Sequence, residues 1–305
     1  SSFQLHWAKD AHFAAAAILN IADDHLDWHG SFDAYADAKF SILDRTEIAI
    51  LNADDGAVVV RANRFTGRKV FFSLNTPAPG EIGVVEELLV DRAFVTDPQQ
   101  ASMICELTDV VPTVPHNVSN ALAAAGLARA INVPHEAIQS ALHEFRPGRH
   151  RIETIFESDG VVWIDDSKAT NPHAAAASLM SHLSVVWIAG GLAKGADMES
   201  LIKRCAPRIK TALLIGTDRA LIENALIAHA PHVQRILIDT PQGYIRGAES
   251  NILMEAIVAE AQKHVAAGDT VLLAPACASM DQFISYDDRG NRFAAAVRKL
   301  VAHEA

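Results

Sequence analysis

The sequence predicts an α/β protein whose second half forms a doubly wound, mostly parallel sheet. Three observations support this fold class. Apolar runs of strand length alternate with alanine-rich helical segments, polar turns follow several of these runs, and 305 residues leave room for about two domains. Half of the residues are hydrophobic and only 6% are aromatic, which fits a helix-rich member of this class.

The first half of the chain alternates predicted strands with predicted helices. Strands are predicted at 14–21, 48–51 and 69–74, and helices at 32–43, 56–63, 115–130 and 134–145. Ser31 is a plausible N-cap for the first of these helices, and Pro115 opens the longest one. A proline-rich turn at 75–80 precedes a hairpin, or a pair of edge strands, predicted at 86–96.

The second half contains six predicted strands with helices between most of them. The strands are predicted at 154–156, 161–164, 184–189, 211–215, 235–238 and 270–273. Because strand–helix–strand units pack in parallel, this alternation predicts a doubly wound sheet. The run Arg146-Pro147-Gly148-Arg149 breaks the pattern and predicts two domains, 1–147 and 148–305.

Composition and charge exclude several classes of protein. The net charge of −11 argues against sequence-independent binding of nucleic acid. No apolar run reaches the ~20 residues of a membrane span, and no leading segment resembles a secretory signal. The three cysteines are odd in number and not at metal-ligand spacing, which predicts a reduced, cytoplasmic setting. The chain opens at Ser1 without a methionine, so we expect that upstream residues were removed or lie outside the structure.

The stretch at 163–172, Trp-Ile-Asp-Asp-Ser-Lys-Ala-Thr-Asn-Pro, carries the densest set of functional groups. A predicted strand delivers six polar side chains into one turn, ahead of a helix predicted at 174–180. Open α/β sheets bind ligands at the carboxyl ends of their strands. Asp165 and Asp166 beside Lys168 suit a sugar hydroxyl or a phosphate. Helix capping by Thr170 or Asn171 explains one polar residue rather than six, so we predict a site here.

Two further polar turns follow apolar strands. The turn at 190–197, Gly-Gly-Leu-Ala-Lys-Gly-Ala-Asp, presents Lys194 but matches neither the dinucleotide fingerprint nor the Walker A loop. Lys168 and Lys194 are predicted at neighbouring strand ends, which suits a carboxylate-bearing substrate. In the turn at 274–283, Ser279 is placed to donate to an anion at a helix N-terminus, and Cys277 is predicted to be a small packed residue. The three turns are expected to share one rim of the sheet.

Other positions admit both a functional and a structural interpretation. His25 lies among carboxylates and suits a divalent cation, although spacing alone favours a capped polar loop. Lys39 by itself predicts an amphipathic stem on a helix surface. Asn117 and Asn120 place two amides on one helix face, suited to an adenine edge or a phosphate oxygen, while spacing alone favours helix capping by Asn117. The basic run at 149–151 predicts an anion clamp or a solvated linker equally well.

Four motifs together resemble the Mur ligase family. Asn-Ile-x-x-Asp-His-Leu-Asp at 20–27 and His-Asn-x-x-Asn-Ala-x-Ala-Ala at 116–124 are similar to motifs shared across Mur ligases. Asp-Ser-Lys-Ala-Thr-Asn at 166–171 and Pro-Ala-Cys-Ala-Ser-x-Asp-Gln-Phe at 275–283, followed by Arg-Gly-Asn at 289–291, look like those of members that add D-glutamate. The resemblance covers essentially the whole chain.

The resemblance implies a fold and a reaction. The fold is a central ATPase-type α/β domain lacking its N-terminal part, followed by a Rossmann-like C-terminal domain that binds D-glutamate and closes over ATP about the 146–149 junction. The reaction uses ATP and Mg²⁺ to convert the carboxylate of UDP-N-acetylmuramoyl-L-alanine to an acyl phosphate during peptidoglycan precursor synthesis. The amine of D-glutamate then attacks, giving an amide, ADP and phosphate. We also expect a monomer, although the sequence itself does not give the oligomeric state.

Individual roles follow from the resemblance position by position. His25 matches a magnesium ligand, and Lys39 matches the lysine that the family carbamylates to hold a second Mg²⁺. These two residues and Lys168 are the expected catalytic residues. The residues that match nucleotide contacts are Asn117, Asn120, Arg151 and Asp166. The residues that match substrate contacts are Ser1, Gln4, Lys168, Thr170, Lys194, Ser279, Met280 and Tyr286, of which Ser1 and Gln4 match a segment beside the muramoyl substrate.

The sequence also departs from the family pattern. The phosphate loop, a glutamate magnesium ligand and the UDP-binding domain are not within the 305 residues. Gly-Gly-Leu-Ala-Lys replaces the commoner Gly-Gly-Asp-Gly-Lys, and Asp165 stands where asparagine is usual. We therefore expect this chain by itself to be inactive. The alternatives are another Mur ligase, a folylpolyglutamate synthase-like ligase or a non-catalytic nucleotide-binding module, while the missing glycine fingerprint disfavours a Rossmann oxidoreductase.

Overall fold

The computed structural model describes residues 1–8, 10–22, 26–97 and 99–301. The chain divides into two compact units, Ser1–Arg146 and Pro147–Ala305. The boundary expected from the sequence stands one residue from this division. Within the described ranges, no helix is long and apolar enough to cross a membrane.

The first unit is built on a six-stranded sheet. Its strands are β1 (Phe13–Ile18), β2 (Thr46–Asn52), β3 (Arg68–Phe72), β4 (Ile82–Val85), β5 (Leu88–Asp91) and β6 (Ser102–Glu106), and they lie side by side in chain order. β1 to β4 pair in parallel, whereas β4, β5 and β6 pair antiparallel. Ile50 and Leu51 are adjacent in β2 but belong to different core clusters, so both faces of this sheet are covered.

Within the described residues, six helices accompany the first sheet. They are α1 (Ser2–Trp7), α2 (Leu26–His29), α3 (Phe32–Phe40), α4 (Gly56–Ala62), α5 (Pro115–Ala130) and α6 (His135–Glu144), with 3₁₀ turns at Leu43–Arg45 and Leu107–Asp109. Ser31 caps α3, because its Oγ accepts a hydrogen bond from Ala34 N at 3.2 Å. Pro115 occupies the first turn of α5, where its missing N–H costs nothing.

The second unit has its own six-stranded sheet. Its strands are β7 (Glu153–Ser158), β8 (Val161–Asp165), β9 (Val185–Gly190), β10 (Ile209–Ile215), β11 (Gln234–Leu237) and β12 (Thr270–Leu273). They are ordered β11-β10-β9-β12-β8-β7, and every pairing is parallel except that of the edge strand β7 with β8.

In the part of the second unit that the structure describes, five helices cover the two faces of the sheet. They are α7 (Pro172–Met180), α8 (Met198–Cys205), α9 (Arg219–His229), α10 (Ser250–Gln262) and α11 (Tyr286–Leu300), with a 3₁₀ turn at Ala206–Arg208. Trp163 packs in the cluster that contains Phe293 of α11, while the next residue, Ile164, packs in the cluster that contains Leu179 of α7. This alternation along β8 is that of a strand buried on both faces, so the predicted doubly wound fold is confirmed.

Several predicted elements differ from those observed. β1 ends at Ile18 rather than at 21, and α3 ends at Phe40, where a 3₁₀ turn follows. The predicted hairpin exists, but its turn lies at Glu86, which has φ +54°, so the strands flank the position where the prediction began. The short elements α1 and β6 were not predicted.

Candidate functional site

The polar turns predicted to share one edge of the second sheet do so. β8, β12 and β9 lie side by side in parallel, with Leu273 opposite both Asp165 and Ile188. The carboxyl ends of these strands are therefore level, as the sequence predicted. One expectation is wrong: β8 and β9 are not neighbours, because β12 lies between them. We call the three turns at 166–171, 190–194 and 274–282 the carboxyl rim.

Main-chain hydrogen bonds fasten the three turns to one another. Ala276 N donates to Ala169 O at 2.9 Å, and Gly190 N donates to Pro275 O at 2.8 Å. Leu192 and Ala278 exchange two further bonds, at 2.9 and 3.0 Å. Because these bonds involve backbone atoms, the relative positions of the side chains on the rim are set by the fold.

Gly190 and Gly191 allow this close approach. Their φ angles are +121° and +133°, in the region that favours glycine. A Cβ at Gly190 would lie 1.9 Å from Ile215 O, and a Cβ at Gly191 would lie 2.1 Å from Ala278 O. Both glycines are thus required for the turn that presents Lys194, which is exposed to solvent.

Lys168 lies on the first turn of the rim, against an aromatic ring. Its Nζ is 3.8 Å from the centroid of the Tyr286 ring, a cation–π contact. The backbone beneath is held by two bonds: Lys168 N donates to His150 O at 3.1 Å, and Ser167 Oγ donates to Tyr286 O at 2.8 Å. The ammonium group is therefore positioned rather than free to sweep through solvent.

Thr170, Lys194 and Ser279 complete the polar part of the rim. Among the residues that the structure describes, none is hydrogen-bonded to these three side chains. Ser279 is 3% exposed, whereas Met280 beside it is 55% exposed. Ser279 does not lie at a helix N-terminus, as the sequence suggested, because the next helix begins only at Tyr286. Two cations and two hydroxyls on one rim suit a small molecule that carries carboxylates.

Asp166 is a buried carboxyl group at the base of the first turn. Its N–H donates to Leu273 O at 2.8 Å, and its side chain is 8% exposed. Burial raises the pKa of Asp166 to about 6, although the Ser178 hydroxyl and Arg151 favour the charged form. A buried carboxyl group whose pKa is raised by desolvation is suited to accept hydrogen bonds from a ligand.

The raised pKa of Asp166 predicts a pH-dependent stability. An unfolded aspartate titrates near ~3.9, so the folded chain binds this proton more tightly. The free energy of unfolding should therefore fall as the pH rises from about 4 through 6, by about 3 kcal/mol from this group. Asp166→Asn should lack this pH dependence. The free energy of unfolding of the variant minus that of wild type, measured by urea denaturation, should therefore increase from about pH 4 to about pH 6. Asp287→Asn, at an exposed site in the same unit, is the control, and a difference independent of pH would contradict the prediction.

Asp165 faces the protein interior rather than a sugar hydroxyl or a phosphate, the partners that the sequence suggested. It is 0% exposed, and its Oδ2 lies 2.7 Å from His150 Nδ1, while Oδ1 accepts from Ser167 N at 2.9 Å. The basic run at 149–151 does not act as one unit, because His150 is buried while Arg149 and Arg151 are exposed. Glu153 adds a third potential ligand atom within 4.8 Å. It also accepts from His150 N at 2.9 Å, so the three groups form a satisfied hydrogen-bond cluster.

Arg289 was not recognised as part of the site from the sequence. It is fully buried and donates to Ser167 Oγ and Ser167 O, both at 2.9 Å, and to Cys277 O at 3.3 Å. It thus ties α11 to two turns of the rim. Burial lowers the pKa of Arg289 to about 10 and raises that of Cys277 to about 12, so Cys277 is a packed thiol, as predicted. The Arg-Gly-Asn run at 289–291 was the only signal.

The predicted residues of the first unit are placed as follows. Lys39 is partly buried on α3, with its Nζ 5.1 Å from the Tyr35 ring centroid. Asn117 is not a helix cap: the N-cap position of α5 is Val114, which makes no side-chain capping bond, and Asn117 Nδ2 donates to Pro112 O at 3.1 Å. Three further predicted positions, all exposed, are Ser1, Gln4 and Asn120. His25 lies outside the described residues.

Comparisons with known families agree with this architecture. The family model described as Mur ligase middle domain matches residues 1–128, and the one described as Mur ligase, glutamate ligase domain matches residues 150–277. The chain belongs to the Mur ligase family. This confirms the resemblance inferred from the four motifs.

Curated Mur ligase relatives are identical to this chain at about half of the aligned positions. A UDP-N-acetylmuramoylalanine–D-glutamate ligase from Streptomyces avermitilis is 52% identical over 308 residues, covering 99% of this chain and 64% of the relative. The protein of the same name from Thermobifida fusca is 49% identical, covering 98% and 64%. The chain therefore spans about 64% of the length of these Mur ligases and matches their C-terminal part.

Solved structures of Mur ligases share the fold. A pseudomurein peptide ligase type C from Methanothermus fervidus has a TM-score of 0.68 at 16% identity, covering 97% of this chain and 65% of that one. A UDP-N-acetylmuramate–alanine ligase from Thermotoga maritima has a TM-score of 0.59, also at 16% identity, covering 94% and 60%. At this identity the likeness concerns the fold alone.

Proposed function

We propose that the chain is the catalytic and acceptor-binding part of an ATP-dependent ligase that joins D-glutamate to UDP-N-acetylmuramoyl-L-alanine. The observation that carries the proposal is the carboxyl rim, where Lys168 and Lys194 stand with two hydroxyl groups on turns locked together by backbone bonds. The names of the curated relatives supply the substrates. The ligase would act in the cytoplasm, as a monomer, in peptidoglycan precursor synthesis.

D-Glutamate carries two carboxylates and one amine. Thr170, Ser279 and the two lysines of the rim offer donors for both carboxylates, with Met280 and Tyr286 beside them. Holding both carboxylates leaves the amine as the free nucleophile and fixes its direction. The amine attacks the acyl phosphate carbon, the C–N bond forms, the C–O bond to phosphate breaks, phosphate leaves, and the nitrogen releases one proton to become the amide.

The acyl phosphate arises when the substrate carboxylate attacks the γ-phosphorus of ATP and ADP leaves. We assign Asn117 and Asn120 in the first unit, and Arg151 and Asp166 in the second, to contacts with the nucleotide. Asp166 suits ribose hydroxyls because it is a buried acceptor, and Arg151 is an exposed guanidinium that suits a phosphate. Ser1 and Gln4 are assigned to the muramoyl substrate.

Mg²⁺ and a carbamylated Lys39 belong to the same proposal. The donor set fits, since an imidazole from His25 and carbamate oxygens from Lys39 are ligands that a divalent cation accepts. When bound, the ion would neutralise charge on the transferring phosphoryl group. Native mass spectrometry in bicarbonate buffer should show one added CO₂, lost in Lys39→Met. Equal masses for both proteins, once the substitution is allowed for, would refute carbamylation.

The proposal is tested by acceptor selection in the full-length protein. With ATP, Mg²⁺ and UDP-N-acetylmuramoyl-L-alanine present, D-glutamate should release ADP and phosphate and yield an amide visible by mass spectrometry. L-Glutamate, L-lysine and diaminopimelate serve as competing acceptors. Preferential turnover of one of the other acceptors would favour another Mur ligase, and nucleotide binding without turnover would favour a non-catalytic module.

A further inference from the structure

The segment at 239–249, between β11 and α10, has no regular secondary structure and no role in the site described above. It lies against the third turn of the carboxyl rim. Four hydrogen bonds link it, or the first residue of α10, to Met280 and Gln282, the first and third residues after Ser279.

Two of these bonds converge on one carbonyl group. The Tyr244 hydroxyl donates to Gln282 O and also lies 2.6 Å from Ser250 Oγ. Ser250 Oγ itself donates to Gln282 O at 2.9 Å, and Ser250 is 0% exposed. Both lone pairs of the carbonyl are thereby occupied, which fixes the peptide plane after Gln282.

The other two bonds hold the outer side of the turn. Arg246 Nη1 donates to Met280 O, and the buried side chain of Gln282 donates through Nε2 to Thr240 Oγ1 at 2.7 Å. The segment is anchored in turn by α11, because Arg292 Nη2 donates to Gly247 O at 2.9 Å.

The far side of the same turn is held by the loop after β10. Thr217 N donates to Asp281 Oδ2 at 2.8 Å, and a Cβ at Gly216 would lie 2.7 Å from this oxygen. The turn is therefore held by two separate parts of the chain, the segment at 239–249 and the loop after β10. Ser279 forms no side-chain hydrogen bond within the described residues, so its hydroxyl is placed by the backbone of the turn, which these contacts hold together with the Leu192–Ala278 pair.

We propose that Tyr244 and Arg246 are positioning residues for the acceptor site, because they fix the carbonyl groups of Gln282 and Met280 and so hold the Ser279 hydroxyl on the rim with Lys194. The inference rests on the proposed function. It places a determinant of acceptor affinity on a segment that contacts the turn through Met280 and Gln282 rather than through Ser279. The same contacts should also govern discrimination between the two enantiomers of glutamate, since enantiomers differ only in geometry.

The test measures steady-state kinetics of the full-length protein with Tyr244→Phe, Arg246→Ala and Arg246→Lys. Tyr244→Phe and Arg246→Ala each remove one hydrogen bond that positions the turn, and each should raise the KM for D-glutamate about 5-fold. The double variant should raise it about 20-fold. The KM for ATP should stay at the wild-type value, and the preference for D- over L-glutamate should narrow. Arg246→Lys, which keeps a donor, should lie between Arg246→Ala and wild type.

Gln242→Ala is the matched control, because Gln242 is exposed on the same segment and makes no side-chain bond to the described residues. Arg246 is itself exposed, so Arg246→Ala remains informative even where Tyr244→Phe impairs folding. An unchanged KM for D-glutamate in Arg246→Ala, or an equal rise in the KM for ATP, would overturn the inference. Wild-type protein without D-glutamate-dependent turnover would instead overturn the proposed function.

Discussion

Replacing Lys168 by alanine in the full-length protein should lower kcat/KM for D-glutamate by about 100-fold, mainly through KM. Truncating one partner of a desolvated charge pair costs roughly 2–5 kcal/mol, and each 1.4 kcal/mol is about tenfold. Steady-state kinetics with D-glutamate varied at saturating ATP measures the effect. Lys203→Ala, which removes an exposed lysine paired with Glu199 on α8, should leave the kinetics unchanged.

The contact between Lys168 and the Tyr286 ring refines this expectation. Tyr286→Phe keeps the aromatic ring against the ammonium group of Lys168, so its KM for D-glutamate should equal that of wild type. Tyr286→Leu removes the face while leaving Tyr286 O, the acceptor of the Ser167 hydroxyl, as a backbone atom. It should raise the KM for D-glutamate about 5-fold. A wild-type KM for D-glutamate in Lys168→Ala would show that this lysine does not bind the acceptor.

Replacing Arg289 by methionine should lower the free energy of unfolding of the second unit by about 3–5 kcal/mol. The substitution leaves three buried oxygen acceptors, on Ser167 and Cys277, without their donor. Urea denaturation followed by tryptophan fluorescence reports on this unit, because Trp163 and Trp187 are 2% and 0% exposed. The midpoint should move to lower urea at an unchanged slope.

Arg298→Met provides a matched control on the same helix, since Arg298 is exposed in the last turn of α11. Its effect should stay within about 0.5 kcal/mol. Arg289→Lys should recover only part of the loss, because an ammonium group cannot reproduce the fork of the guanidinium. Coincident unfolding curves for Arg289→Met and Arg298→Met would show that Arg289 does not stabilise the rim.

Local chemistry explains which elements could be predicted from the sequence. α5 was bounded correctly at Pro115 and Ala130, because proline marks the first turn of a helix unambiguously. The hairpin of β4 and β5 was predicted too far along the chain, at 86–96. Apolar residues lie on both sides of Glu86 and Glu87, and either apolar run is typical of a strand. The order of strands was not predictable. Placing β12 between β8 and β9 depends on packing between residues about 100 positions apart, which periodicity does not encode.

The rim was located from the sequence, but the roles within it were not. Asp165 and Asp166 are adjacent carboxylates, and composition gives no reason to separate them. In the structure the first faces His150 and Ser167, while the second is bonded through its N–H to Leu273. Successive residues at a strand end point to opposite sides. Asp165 is therefore held by hydrogen bonds within the fold, whereas Asp166 is the carboxylate that we assign to the ligand. Arg289 stayed unrecognised because an arginine on a helix is usually exposed.

The most direct test of the central claim is to map D-glutamate binding on the ¹⁵N-labelled chain by NMR titration. We predict saturable shifts at the amides of Lys168, Thr170, Lys194 and Ser279, with much weaker shifts for L-glutamate. The amides of the first unit should not move. Saturable shifts elsewhere, equal responses to the two enantiomers, or no response at all would contradict an acceptor site on the carboxyl rim.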